Sequence, residues 1–223
     1  MAAPLSSPLS SPAFSSVVSS EAELRQLYRE PSKLVKGKKV QRLDDVTRAF
    51  IAASPFCLLA TSDAEGRCDV SPKGGPAGFV KVLDEGRVAL PDLNGNNLID
   101  SLVNIVGNPH AALLLLIPGQ GETLRIDGPA SVTTDPEVLA LWDDELRRPK
   151  AAVGIEVASA FIHCAKAFRR GRLWEPESWS DYEGAPDGCD LIISQMQLTH
   201  DPAQIRAGFE EGYRQGLAED QPV

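Results

Sequence analysis

Between Phe56 and Asp92 the chain reads "FCLLATSD", "AEG", "RCDVSPKG", then "GFVKVLD", "EGR", "VALPD". Each short apolar or alternating run is followed by a tight, glycine-bearing turn, which is the signature of strands joined by hairpins. A parallel neighbour needs a crossover of about a dozen residues or more, and these links are far too short for one. The segment therefore favours an antiparallel meander over alternating βαβ units.

The rest of the chain fits elements around that meander. "SSEAELRQLY" places Ser20 three residues before Glu23, a capping-box pattern that starts a first helix through Leu24, Leu27 and Tyr28. The basic "KLVKGKK" reads as a solvated loop. Helical spacing returns through Leu43, Val46, Phe50 and Ile51. A helix is expected from about Asn96 to Val106, then an aliphatic strand in "HAALLLLIP" and a further strand in "ETLRIDGPASVTT". Thr134, Asp135 and Pro136 announce a helix through "EVLALWDDELRR", with Pro136 in its first turn. "AAVGIEVASAFIHC" reads as one long strand and "AKAFRRGRLWEP" as a helix or turn. The last helix, "DPAQIRAGFEEGYRQGL", puts Ile205, Phe209 and Tyr213 on one face. The order of elements predicts a small, mainly antiparallel barrel with helices around it.

Composition narrows the function. The 223 residues suffice for one core of ordinary size, and 43% hydrophobic with 24% charged residues is a globular composition. A formal charge of −9 argues against a nucleic-acid partner, which needs a basic face. The longest aliphatic stretch, Ala111 to Ile117, is far short of the roughly 20 residues of a membrane span. The first 20 residues, rich in Ser, Pro and Ala, lack the basic and apolar regions of a secretory signal and read as a flexible tail. Cys57, Cys68, Cys164 and Cys189 are widely spaced, which suits reduced thiols and a cytoplasmic location. No metal site is expected: His110, His163 and His200 have no ligand spacing, and His163 and Cys164 point to opposite faces of a strand. No G-x-S-x-G, P-loop or G-x-G-x-x-G segment is present.

The ordered series "DVSPKG", "GFVKVLD", "RVALPD", "NGNN", "LIDSLVNI" and "NPHAALLLL" resembles the flavin-binding split barrel of the pyridoxamine 5'-phosphate oxidase superfamily. "ETLRIDGPASV" is similar to the family's next strand, and "HCAKAFRRGRLWEP" to the tail of a branch distinct from the oxidase proper. The likeness spans roughly residues 43 to 176. It implies a mainly β fold with helices, an antiparallel six-stranded split β-barrel of the FMN-binding type. The corresponding division of the chain is a tail over 1–20, a barrel domain with its N-terminal helices over 21–176, and a loop and helical extension over 177–223.

By the same resemblance the cofactor is FMN, the assembly a homodimer, and Lys73 the basic phosphate contact, with Ser71 a hydrogen-bonding neighbour. Read alone, Lys73 is equally an exposed lysine in a Ser-Pro-Lys-Gly turn. Asn97 and Leu98 stand where the oxidases proper commonly carry an Arg-Lys pair. Asn96, Asn97 and Ser101 would then offer neutral donors beside free N–H groups at the helix start; their local alternative is a turn and an N-cap. Thr123 falls near a ring-contacting position, with Arg125 on the same strand face, and Asp92 near a cofactor-facing one. Arg169, Arg170 and Arg172 with Trp174 form a cationic and aromatic cluster. Arg172 and Trp174 would close the site from the second protomer, or else mark a helix C-terminus and a core tryptophan. The implied activity is an FMN-dependent redox step on a small organic substrate or nicotinamide donor. The alternatives are a non-catalytic flavin- or haem-binding barrel and a deazaflavin-dependent reductase. No catalytic side chain is assigned.

Overall fold

The computed structural model describes residues 14–199 and 201–222. Most of the predicted tail and His200 lie outside the described residues. The chain divides into two compact units, Met1–Lys38 and Lys39–Val223.

The first unit holds two short helices, α1 (Glu21–Leu27) and α2 (Lys33–Gly37), neither with a buried residue. The Ser20 hydroxyl accepts the Glu23 N–H at 3.3 Å, but the Glu23 carboxylate reaches back to the Ser19 N–H at 3.0 Å. The reciprocal bond of a capping box is thus displaced by one residue. The basic segment expected as a loop contains α2, which Ser32 caps through the Val35 N–H at 3.4 Å.

The second unit carries α3 (Asp45–Ala53), β1 (Phe56–Ser62), β2 (Cys68–Gly74), β3 (Lys81–Asp84), β4 (Arg87–Pro91), α4 (Asp100–Gly107), β5 (His110–Leu116) and β6 (Thr123–Thr133). After these come α5 (Pro136–Leu139), β7 (Ala152–Glu156), β8 (Ser159–His163), α6 (Lys166–Arg170), α7 (Gly188–Met196) and α8 (Pro202–Glu219). All paired strands are antiparallel, in the order β2-β1-β5-β6-β7-β4-β3, with β8 also on β6. The expected four-strand meander is instead two hairpins, β1–β2 and β3–β4, at opposite edges of the sheet, with β5, β6 and β7 between them. The sheet has eight strands and does not close on itself, a split barrel with two more strands than the six expected.

One of the extra strands comes from the segment read as a single long strand, which breaks into β7 and β8 at Val157 and Ala158. The reason lies on β6. Along one edge β6 pairs with β5 from Leu124 to Pro129; along the other its first half pairs with β8 and its second half, from Ala130, with β7. The chain leaves β7 and enters β8 across Gly128, where the Ala158 N–H donates to the Asp127 carbonyl at 3.0 Å. A Cβ on Gly128 would overlap the Glu156 carbonyl oxygen and lie 2.9 Å from the Ala158 nitrogen. Only a residue without Cβ lets the two backbones approach this closely.

Alternation along the strands builds the core. Leu59 of β1, Leu113 and Leu115 of β5, Ile126 of β6, Leu90 of β4 and Ile155 of β7 are buried in one cluster, closed by Leu43 and Ile51 beside and within α3. Each such side chain stabilises the fold by about 1.5–3 kcal/mol. The helix expected after Pro136 stops at Leu139 and tightens into a 3-10 turn, Ala140–Trp142, which carries Trp142 into a second cluster. There its indole N–H donates to the Phe79 carbonyl at 2.7 Å. β2 is a sheet edge and holds Pro72 between Ser71 and Lys73. No helix among the described residues is long and apolar enough to cross a membrane.

Gly128→Ala is expected to lower stability by about 3 kcal/mol or more through overpacking against backbone that cannot move. A thermal or denaturant melt checks this, and a melt within experimental error of wild type would contradict the crossing at Gly128.

Candidate functional site

Period-two alternation puts Asp69, Ser71 and Lys73 on one half-buried face of β2, while Cys68, Val70, Pro72 and Gly74 are exposed. Above that face lies the first turn of α4. Asn104 on α4 donates to the Thr61 hydroxyl at 3.1 Å, and Asn108, its C-cap, donates to the Ser62 carbonyl and hydroxyl at 3.2 and 3.0 Å. The Asn-Pro break after the helix therefore ties α4 to β1 as well as ending it. Held this way, Ser101 is buried, donates to Asp69 Oδ2 at 2.5 Å and lies 3.1 Å from the Ser71 hydroxyl.

The loop from Asp92 to Ile99 forms the remaining wall. α4 begins at Asp100, later than the sequence pattern predicts, because Asn97 and Ile99 adopt left-handed backbone with φ of 57° and 53°. Asn tolerates that region; a β-branched residue rarely does, so Ile99 is a strained position at the rim of the site. The Asn96 side chain accepts the Leu98 N–H at 3.1 Å, an Asx turn that shapes the loop.

These elements enclose a cavity of about 310 Å³ lined by Ser71, Lys73, Asn96, Asn97 and Ser101, five of the eight candidate residues, and also by Asp69, Asp92 and Asp100. Lys73 Nζ lies 3.9 Å from Asp92 Oδ1, both side chains about a quarter exposed. Cys57, opposite Lys73 in the strand register, is buried, and desolvation pushes its thiol up to about 12 against the opposing pull of Lys73. It is no thiolate nucleophile near neutral pH. Amide and ammonium donors thus converge on one space, as an anionic oxygen cluster requires. The Ser101 hydroxyl, however, donates to Asp69 and that of Ser71 to Ser101, and three carboxylates line the cavity against one lysine.

The other three candidates lie elsewhere in the chain. Thr123 is buried opposite His163. Arg172 binds Glu175 at 2.8 Å and Asp181 at 3.4 Å. Trp174 stacks on Phe168 at 5.7 Å between centroids and donates to the Gln120 carbonyl at 2.7 Å. Arg125 pairs with Asp127 at 2.8 Å and covers the Phe161 ring. Asp69 and Asp100 were not singled out from sequence. The i, i+2 relation of Asp69 to Ser71 was the available signal. No group of acidic, His and Cys side chains among the described residues is arranged to hold a metal ion.

The fold and this cavity define a mainly antiparallel split-barrel protein. The family profile for pyridoxamine 5'-phosphate oxidase matches residues 43–164, more than half of the chain, and the chain belongs to that family. Among solved structures, HupZ of Group A Streptococcus is similar at 18% identity and a TM-score of 0.45, over 53% of this chain and 92% of that one. A candidate pyridoxamine 5'-phosphate oxidase from Lactobacillus delbrueckii aligns at 22% identity and 0.44, over 56% and 98%. The heme storage protein HutZ of Vibrio cholerae aligns at 17% and 0.38, over 55% and 94%. No curated protein matches the chain.

Asn108→Ala is expected to cost about 1–2 kcal/mol of stability, since it removes the bonds that fasten α4 to β1 and leaves the Ser62 groups half-satisfied. Denaturant unfolding checks this; an unchanged midpoint would mean that packing and the Asn104–Thr61 bond hold α4 without Asn108.

Proposed function

We propose that the chain binds FMN in the cavity beside β2 and serves a redox step on a small organic substrate or a nicotinamide donor. The reading rests on family membership together with one observation: the end of β2, the Asp92–Ile99 loop and the start of α4 bring donors to a single cavity. When bound, FMN supplies the hydride or electron transfer, so no protein nucleophile is required. The chain's own residues bind and orient. Lys73 contacts the phosphate and the Asn96–Asn97 turn adds neutral hydrogen bonds. Ser71 and Ser101 contribute when their hydroxyls turn from Asp69 to the ligand, and Thr123, buried outside the cavity lining, makes no contact in this reading.

The donors fit phosphate oxygens; the charge fits a dianion poorly. Asp92 competes for Lys73, and Asp69 already accepts from Ser101. Binding is therefore weaker than a site with two basic residues at Asn97 and Leu98 would give, and pyridoxamine phosphate oxidation itself is disfavoured. Arg172 and Trp174 close the site from a second protomer in this reading, and Arg172 supplies positive charge there by leaving Glu175 and Asp181. A cytoplasmic setting suits four widely spaced cysteines.

A homodimer is supported by α4. Ser101 and Ile105 are buried, while Val103 and Val106 are 58% and 79% exposed, and Leu98 just before the helix is exposed as well. A second copy would cover this apolar face. Val103→Glu with Val106→Glu is expected to give monomers by light scattering after size exclusion, where wild type gives dimers. A monomeric wild type would remove the two-protomer site.

The decisive experiment is anaerobic and aerobic titration of the purified protein with FMN and with riboflavin. FMN should bind more tightly than riboflavin, Lys73→Ala should weaken FMN roughly tenfold or more, and Asp92→Asn should strengthen it roughly tenfold. Riboflavin binding as tightly as FMN, with both variants silent, would remove phosphate recognition from this cavity. Failure to take up either flavin would sink the proposal. FMN binding without reduction by any nicotinamide donor or reoxidation by an acceptor would favour a non-catalytic carrier.

A further inference from the structure

The family match ends at residue 164, yet the last turn of α8 returns to the wall of the cavity. The Asn94 N–H donates to Asp220 Oδ1 at 3.1 Å, the Asn94 side-chain amide donates to the Glu219 carboxylate, and the Arg147 N–H donates to the Asp220 carbonyl at 2.8 Å. One pair of residues at the end of the chain thus fastens two segments of the barrel unit, one of them more than a hundred residues away.

Asn94 is in the middle of the loop that supplies Asp92, Gly95, Asn96 and Asn97 to the candidate site. The same loop is a wall of a second cavity of about 320 Å³, whose far side is built by Arg147, Lys150, Glu219 and Asp220. Its other ties lie at its base, where the Asp92 N–H donates to the Ala151 carbonyl at 3.0 Å, Asp92 faces Lys73 at 3.9 Å and Leu93 packs on the Trp142 cluster, or are local, as in the Asx turn at Asn96. A loop with left-handed backbone at Asn97 and Ile99 relaxes unless its surroundings hold it. Among the described residues, the contacts at Asn94 are the long-range hydrogen bonds that fall between this base and the left-handed residues.

We propose that Glu219 and Asp220 are positioning residues for the candidate site: the end of α8 is a latch that holds Asn94, and through it Asn96 and Asn97, in the arrangement that lines the cavity. The C-terminal extension is then part of the binding site. A loop ordered in advance leaves less conformational entropy to be lost when a ligand arrives, so the latch raises affinity without touching the ligand. The effect on FMN rests on the flavin reading above; the effect on the loop does not.

The test compares the full-length wild type with the Glu219→Ala/Asp220→Ala double variant and with Asp220→Asn, whose amide oxygen still accepts from the Asn94 N–H. Amide hydrogen exchange is followed without ligand over residues 92–99, with β5 as internal control, and FMN is titrated into each protein. Exchange over 92–99 should quicken at least tenfold in the double variant with β5 unchanged, FMN affinity should fall roughly tenfold, and Asp220→Asn should keep both near wild type. Unchanged loop exchange in the double variant overturns the latch. So does a loosened loop with undiminished FMN affinity. If the wild type takes up no FMN, the flavin reading fails by itself and the exchange comparison decides the latch.

Discussion

The close approach of backbone to backbone at Gly128 is the constraint on which the barrel depends. β6 serves β5 along one edge and, along the other, β8 and then β7. That exchange of partners joins the half of the sheet that carries β1 and β2 to the half that carries β3 and β4. It works because Gly128 presents no Cβ to the chain crossing from Glu156 to Ala158. The core cluster draws on both halves, so its hydrophobic stabilisation is available only while this junction holds.

From that frame the site follows by short steps. β1 orders β2 in register, alternation turns Asp69, Ser71 and Lys73 to one side, and Asn104 and Asn108 set α4 above them. The result is rich in donors and short of positive charge. The electrostatics therefore discriminate among ligands more sharply than the cavity's shape does: each additional negative charge on a ligand meets Asp69, Asp92 and Asp100 with Lys73 as the opposing charge on the lining.

Much of this was legible in the sequence, and the failures have physical causes. The hairpins β1–β2 and β3–β4 could be read because a tight turn admits no other pairing, and the Leu-rich strand because its length and flanks fit a core strand. The separation of the two hairpins to opposite edges of the sheet, however, is set by β5, β6 and β7, later in the chain. The break between β7 and β8 was not legible, since its cause is a glycine on β6 that is remote in sequence. The start of α4 was misplaced because Asn97 and Ile99 take left-handed backbone, which apolar spacing does not report. Ser71, Lys73, Asn96, Asn97 and Ser101 were found as a group through the ordered likeness to a family, while the carboxylates at 69 and 100 become relevant only when folding brings them to the same space. Arg172 and Trp174 form a conspicuous cluster in sequence, but local partners, Glu175 and Phe168 among them, engage both within the chain.

Pro72 has a consequence for colloidal behaviour. The strand that bears Ser71 and Lys73 is at the open border of the sheet, where an unpaired strand ordinarily invites another chain to add itself edge to edge. Proline offers no N–H, so an arriving strand meets a gap in the ladder midway between the two residues, and the lysine beside it adds a charge that a stacked copy would repeat at close range. The protein can thus keep a polar, ligand-facing strand at its margin without that margin becoming a template for fibrous self-association.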